Sequence, residues 1–113
     1  MNSSNFGVLK DDKNFRRVYS KGLSFVGFCV IAYVYKNFGK GVRFGVTASK
    51  KVGNAVKRNR ARRVIRSAFL EVLEYEKLRN VDVVLVARGK TPFVKSFVVK
   101  KCLIKLFSEA GFF

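Results

Sequence analysis

Between Lys50 and Phe69 the sequence reads KKVGNAVKRNRARRVIRSAF, with eight basic side chains (Lys50, Lys51, Lys57, Arg58, Arg60, Arg62, Arg63, Arg66) and no acid. Guanidinium groups at this density suit the binding of phosphates, because their planar forks match phosphate oxygens two at a time and stay charged at any working pH. On a helix, arginines three and four apart repel, at a cost of about a few tenths of a kcal/mol per pair. They also crowd the positive end of the helix macrodipole. Folding gains nothing from this, whereas a bound phosphate backbone would offset it. A charge run is ordinarily a solvated helix face. This one is single-signed, arginine-rich and opposed to the dipole, which argues for a polyanionic partner.

The remaining reactive residues exclude other chemistries. There is no His, so the commonest general base and the commonest metal ligand are missing. The acids are Asp11, Asp12, Glu71, Glu74, Glu76, Asp82 and Glu109, with none between Asp12 and Glu71. That spacing suggests no carboxylate cage beside the basic run, so no catalytic side chain and no metal site are expected. Cys29 and Cys102 lack CxxC spacing and read as buried, reduced thiols, with a structural disulfide the alternative. Phe15, Tyr19 and Tyr33 are flat rings that could stack on unpaired bases. Core packing is the ordinary alternative for each.

The elements that must position these groups can be read from periodicity. The chain has 113 residues, which suggests one domain spanning 1–113. Its net charge is +17, yet 49% of its residues are hydrophobic, which argues against a disordered basic tail. Met1–Lys10 is polar and expected to be loose, with no secretory leader pattern. DDKNFRRVYSKG reads as a short helix capped by Asp12 and followed by Gly22, with Phe15, Val18 and Tyr19 as its stripe.

SFVGFCVIAYVYK reads as a strand bent near Gly27, with Cys29, Ile31, Tyr33 and Tyr35 on one face and Phe28, Val30, Ala32 and Val34 on the other. NFGKG is a turn, and VRFGVTAS a second strand expected to form a hairpin with the first. The longest apolar run, Phe25–Tyr35, is about half a membrane span, so no membrane partner is expected.

After a loop ending at a capping Asn54, Ala61, Val64, Ile65, Ala68, Phe69 and Val72 form a clean helical stripe. Asn59, Arg60, Arg62, Arg63 and Arg66 gather on the opposite side, while Arg58 falls near the edge of the apolar arc. VDVVLVAR is a strand apolar on both faces. A last helix starts at Thr91-Pro92, with Phe97, Val98, Cys102, Leu103, Leu106 and Phe107 as its stripe. The class is α+β, one sheet packed with helices.

Arg43–Glu71, RFGVTASKKVGNAVKRNRARRVIRSAFLE, closely resembles the signature of the bacterial ribonuclease P protein family. KKVGNAVKRNR followed by RRVIR carries the likeness, and NFRRVYSKG and DVVLVAR flank it at the family's spacings. The resemblance covers Leu9 to about Phe107. It implies a four-stranded sheet with three helices in the order α-β-β-β-α-β-α, the extra strand being a short one around Ser24–Val26. It also implies a left-handed crossover into the central helix.

The resemblance further implies a cytoplasmic subunit whose partners are the ribonuclease P RNA and precursor tRNA. The RNA would carry out hydrolysis with magnesium, which it holds itself. RNA-subunit contacts would fall on Lys50, Lys51, Asn54, Arg58, Asn59, Arg60, Arg62, Arg63 and Arg66. The 5′ leader would lie in a cleft at Phe15, Tyr19 and Tyr33. The sequence departs from the family in lacking Lys or Arg in Met1–Leu9 and a basic tail before Phe113. A ribosomal or other structural RNA-binding protein would share the charge and the aromatics. A self-sufficient nuclease would need the His or clustered acids that the basic segment lacks.

Overall fold

The segment Val81–Ala87 has little polar surface to offer water, and it takes the centre of the sheet. The computed structural model describes residues 6–75 and 78–113. Its elements follow the chain as β1 (Phe6–Val8), α1 (Asp12–Lys21), β2 (Leu23–Val26), β3 (Val30–Lys36), β4 (Val42–Thr47), α2 (Ala55–Tyr75), β5 (Val81–Ala87) and α3 (Ser96–Glu109). Short 3₁₀ turns, Lys50–Val52 and Thr91–Phe93, precede α2 and α3. The sheet order is β1-β4-β5-β3-β2. The α+β class and three helices are as expected, but the sheet has five strands rather than four.

The additional strand, β1, lies in a segment expected to be loose. It pairs in parallel with β4, Gly7 opposite Arg43, and the Leu9 amide donates to the Phe44 carbonyl at 2.9 Å. Leu9 is buried, which anchors the strand end. Met1–Asn5 lie outside the described residues. The short strand inferred around Ser24–Val26 is present as β2, antiparallel to β3.

The expected hairpin between β3 and β4 does not form. β5 lies between them, antiparallel to β3 and parallel to β4. A strand apolar on both faces gains most from the central position, where both faces are covered. The turn between β3 and β4 instead spans the end of β5. Asn37 Nδ2 donates to the Gly41 carbonyl and to Asp82 Oδ1, both at 2.8 Å. Asp82 is fully buried and accepts a bidentate pair from Arg43, Nε to Oδ1 at 2.8 Å and Nη2 to Oδ2 at 2.7 Å. The bond to Asp82 raises the Arg43 pKa above its ordinary value.

Two cores flank the sheet. On one face Val30, Ala32, Val34, Phe44, Val83 and Leu85 meet Ala61, Ile65, Ala68, Phe69 and Val72 of α2. The same core takes Val99, Leu103, Leu106 and Phe107 from α3, so the α3 stripe is rotated from the expected one. Phe97 is exposed, and Val99 takes its place. Thr91-Pro92 forms its own turn ahead of α3 rather than the helix's first turn.

On the other face α1 covers a smaller core of Leu9, Val18 and Val84, with Phe15, Tyr33, Tyr35 and Val86 packed against it. The residue before α1 is Asp11, not Asp12, and its side chain makes no capping bond. The bend at Phe28–Cys29 breaks the alternation before β3. Cys29 therefore enters the α2/α3 core, away from Tyr33, and Phe28 points to solvent. Both cysteines are free thiols. Burial, then the neighbouring Cys102 thiol, push the Cys29 pKa up to about 12.

Candidate nucleic-acid interface

The basic segment starts where β4 leaves the sheet. Ser49 Oγ accepts from the Lys51 amide at 3.3 Å, closing the turn that holds Lys50 and Lys51 in solvent. Gly53 follows at φ 142°, a backbone conformation that a side chain would strain. Asn54 Oδ1 then accepts from the Lys57 amide at 3.0 Å and caps α2. The Asn54 side-chain oxygen is thus occupied within the protein.

The arginines divide by position. Arg58, at the edge of the apolar arc, folds back and Nη1 donates to the Gly53 carbonyl at 2.9 Å. It braces the loop that precedes its own helix. Arg62 Nη2 donates to Asn59 Oδ1 one turn earlier, which orients both side chains on the outer face. Arg60, Arg63 and Arg66 are exposed. The inner face of the same helix buries Ala61, Ile65, Ala68, Phe69 and Val72, so the apolar stripe fixes the direction of the arginines. The first acid of α2 is Glu71, and Lys100 Nζ meets its Oε1 at 3.3 Å. The unpaired positive surface is therefore the N-terminal half of the helix.

The second region lies on the opposite face of the sheet. Strand register places Gly45, Val84, Tyr33 and Ser24 in one row, and Thr47, Val86, Ile31 and Val26 in the next. α1 forms a wall over the first row. Phe15 lies against Gly45, whose missing side chain leaves the room: a Cβ there would fall 2.5 Å from Phe15 Cζ. Tyr19 stands one turn further along, its ring edge-on to Tyr33 with centroids 4.8 Å apart. Tyr19 is 41% exposed and Tyr33 half-buried, so the pair opens towards the second row.

The structure thus brings Phe15, Tyr19 and Tyr33 together on one strip. Phe15 is the innermost and packs with the small core. Thr47, Ile31 and Val86 extend the floor. Periodicity could not find them, because the strip depends on which strands are neighbours.

The two regions meet at Thr47. Its hydroxyl lies 3.5 Å from the Tyr19 hydroxyl, and three residues later the chain reaches Lys50. One short connection therefore carries both an aromatic strip and a cationic helix end. Among the described residues, no group of three His, Cys, Asp or Glu could hold a metal ion. Nor is any helix among them long and apolar enough to cross a membrane.

The ribonuclease P family model matches residues 4–111. The chain belongs to that family. A ribonuclease P protein component from Clostridium kluyveri is 38% identical over 107 residues, spanning 93% of this chain and 95% of the relative. Another, from Clostridium botulinum (strain 657 / Type Ba4), is 33% identical over 105 residues with the same coverage of each. The solved ribonuclease P protein of Staphylococcus aureus superposes with a TM-score of 0.76 at 28% identity, covering 94% of this chain and 96% of that one. The Thermotoga maritima protein shares the fold, with a TM-score of 0.76 at 23% identity over 89% of this chain and 94% of its own.

Proposed function

We propose that this chain is the protein component of ribonuclease P, binding the catalytic RNA subunit through α2 and the 5′ leader of precursor tRNA in the α1–sheet strip. Family membership supports the assembly. The observation that carries the division of roles is the junction at Thr47, which joins a one-signed arginine face to a strip of partly open aromatics. Arginine forks hold phosphates at fixed positions, and aromatic faces accept bases of any sequence. A subunit that must grip one structured RNA and many different leaders needs both.

In this reading Lys50, Lys51, Arg60, Arg62, Arg63 and Arg66 contact phosphates of the RNA subunit. Asn54, Arg58 and Asn59 set the geometry of that surface, through the cap, the Gly53 brace and the bond to Arg62. Tyr19 and Tyr33 offer ring surface to the leader, and Phe15 holds the wall that presents them. The α2 connection between parallel β4 and β5 is taken as left-handed, as the resemblance implies.

Hydrolysis and its magnesium are assigned to the RNA. The donor chemistry supports this, since the described acids form no ligand group and the basic face repels a divalent cation. The reading also places the protein in the cytoplasm, where thiols such as Cys29 and Cys102 stay reduced.

The test is reconstitution. The full chain, added to a bacterial ribonuclease P RNA at low magnesium, should speed cleavage of precursor tRNA at the mature 5′ end. The protein alone should cleave nothing specifically. RNA-free cleavage that one point substitution abolishes would make the chain a nuclease in its own right. Tight RNA binding with no effect on cleavage would favour a structural RNA-binding role.

A further inference from the structure

We infer that a second aromatic platform, built from Phe28, Phe93 and Phe97, stacks against unpaired nucleotides of the RNA subunit beside the N-terminus of α2. The inference rests on the reading that the polyanionic partner is the ribonuclease P RNA. The three rings are 60%, 70% and 56% exposed. Each ring has an ammonium group over it. Lys90 Nζ lies 4.0 Å from the Phe28 centroid, Lys57 Nζ 5.5 Å from Phe93, and Lys101 Nζ 5.9 Å from Phe97.

Phe28 and Phe93 are held on pinned backbone, and Phe97 sits in the first turn of α3. Thr91 is buried, donates to the Cys29 carbonyl at 2.6 Å and accepts from the Arg88 amide at 2.8 Å. Arg88 Nη1 donates to the Gly27 carbonyl at 2.7 Å. These bonds clasp the bend carrying Phe28 to the turn carrying Lys90 and Phe93. A platform fixed before binding loses little freedom when a base settles on it.

Charge and position identify the occupant. Rings paired with lysines and lacking a nearby acid in sequence suit a ligand that is both flat and anionic, which describes an unpaired nucleotide. The Lys57–Phe93 contact places Phe93 against the first turn of α2, the helix that carries the arginine face. The aromatic strip at Tyr19 and Tyr33 is on the opposite face of the sheet, under α1. The RNA subunit, not the leader, is therefore the source of the stacked bases.

The experiment titrates a bacterial ribonuclease P RNA, without tRNA, against the full chain and its Phe28→Ala, Phe93→Ala, Phe97→Ala, Phe93→Tyr and Arg62→Ala variants, at several salt concentrations. Phe28→Ala, Phe93→Ala and Phe97→Ala should each weaken binding about five- to hundredfold with the log–log salt slope unchanged, because a stacked base releases no counterion. Phe93→Tyr should bind as the parent does. Arg62→Ala should lower the slope, which shows that the phosphate contacts are being measured.

Parent-like affinity in all three alanine variants, with Arg62→Ala behaving as stated, overturns the platform and leaves the function intact. Losses seen only for precursor tRNA on the reconstituted enzyme assign these rings to substrate, and losses only of self-association assign them to a protein contact. Either result overturns the inference. If the parent chain itself ignores the RNA, the proposed function falls first and the platform with it. Should one variant lower the melting temperature, the other two rings decide, since each has its own lysine.

Discussion

The Phe15 ring fills the space that a side chain on Gly45 would need: a Cβ there would lie 2.5 Å from Cζ and 2.7 Å from Cε1. Helix α1 and strand β4 can approach only because one of them carries no side chain at this point. Gly45→Ala should push the ring off the sheet and cost about 1–3 kcal/mol of stability. Thermal unfolding measures this, and Phe15→Leu in the same chain should recover part of the loss. An unchanged melting temperature for Gly45→Ala would mean that the ring is not confined there.

Asp82 is buried within the sheet, and it holds both Arg43 and Asn37. Asp82→Ala strands a cation and an amide, which should cost about 3–5 kcal/mol. Replacing the ion pair jointly, Asp82→Leu with Arg43→Met, should cost less than Asp82→Ala alone. Denaturant titration of the variants gives the comparison.

Arg62 and Arg66 project from the outer face of α2, away from its buried stripe. Arg62→Ala and Arg66→Ala should leave the melting temperature nearly unchanged. Each should lower the log–log salt slope of RNA-subunit binding by about 0.7 to 0.9, one phosphate contact apiece. A drop in affinity at constant slope would remove them from the phosphate-contacting set.

Tyr33 is half-buried and meets Tyr19 edge-on. Tyr33→Ala should cost about 1–3 kcal/mol of affinity for precursor tRNA on the reconstituted enzyme. Mature tRNA has no leader, so its affinity should hardly move, and Tyr33→Phe should retain most of the binding. Equal losses for both tRNAs would return Tyr33 to a purely packing role.

Cys29 gives a pH signature. Its pKa, pushed up to about 12 by burial and by Cys102, exceeds the 9.0 of an ordinary thiol. The folded chain keeps this proton where the unfolded chain loses it, so the contribution is complete below about pH 9 and falls as pH rises towards 12. The decline is at most about 1.4 kcal/mol per pH unit. Cys29→Ala should lose this part of the alkaline slope, seen by comparing denaturation of the two proteins from about pH 8 to about pH 10.5. Parallel stability curves would show that the thiol is not the source.

Much of the basic surface was legible because helical periodicity is local. The stripe Ala61 to Val72 fixed which arginines face outward, and the structure buries all of it but Val64, which is partly buried. It even left Arg58 at the edge, where Arg58 now reaches Gly53. Sheet order was not legible. The turn at Asn37–Gly41 looks like a hairpin connection, and only a strand about forty residues later makes it something else. β1 escaped because so short a strand carries no alternation to read. In α3 nearly every position from Phe97 to Phe107 outside the lysines is apolar, so a stripe displaced by one residue fitted as well. Phe15, Tyr19 and Tyr33 were visible as residues, but their shared surface depends on the register of β3, β5 and β4.

The place of β5 bears on how the chain is made. As the polypeptide leaves the ribosome, β1 and β4 can pair, and so can β2 and β3, but no strand yet joins the two halves of the sheet. The arginine helix emerges next, ahead of the strand that completes the surface beneath it. For that interval a strongly cationic amphipathic segment waits beside the most abundant polyanion in the cell, ribosomal RNA, with its apolar stripe uncovered. Only when Val81–Ala87 inserts does the sheet close. Synthesis of nearly the whole chain thus comes before the helix is held in its final orientation, and a truncated product would keep its charge without the scaffold that aims it.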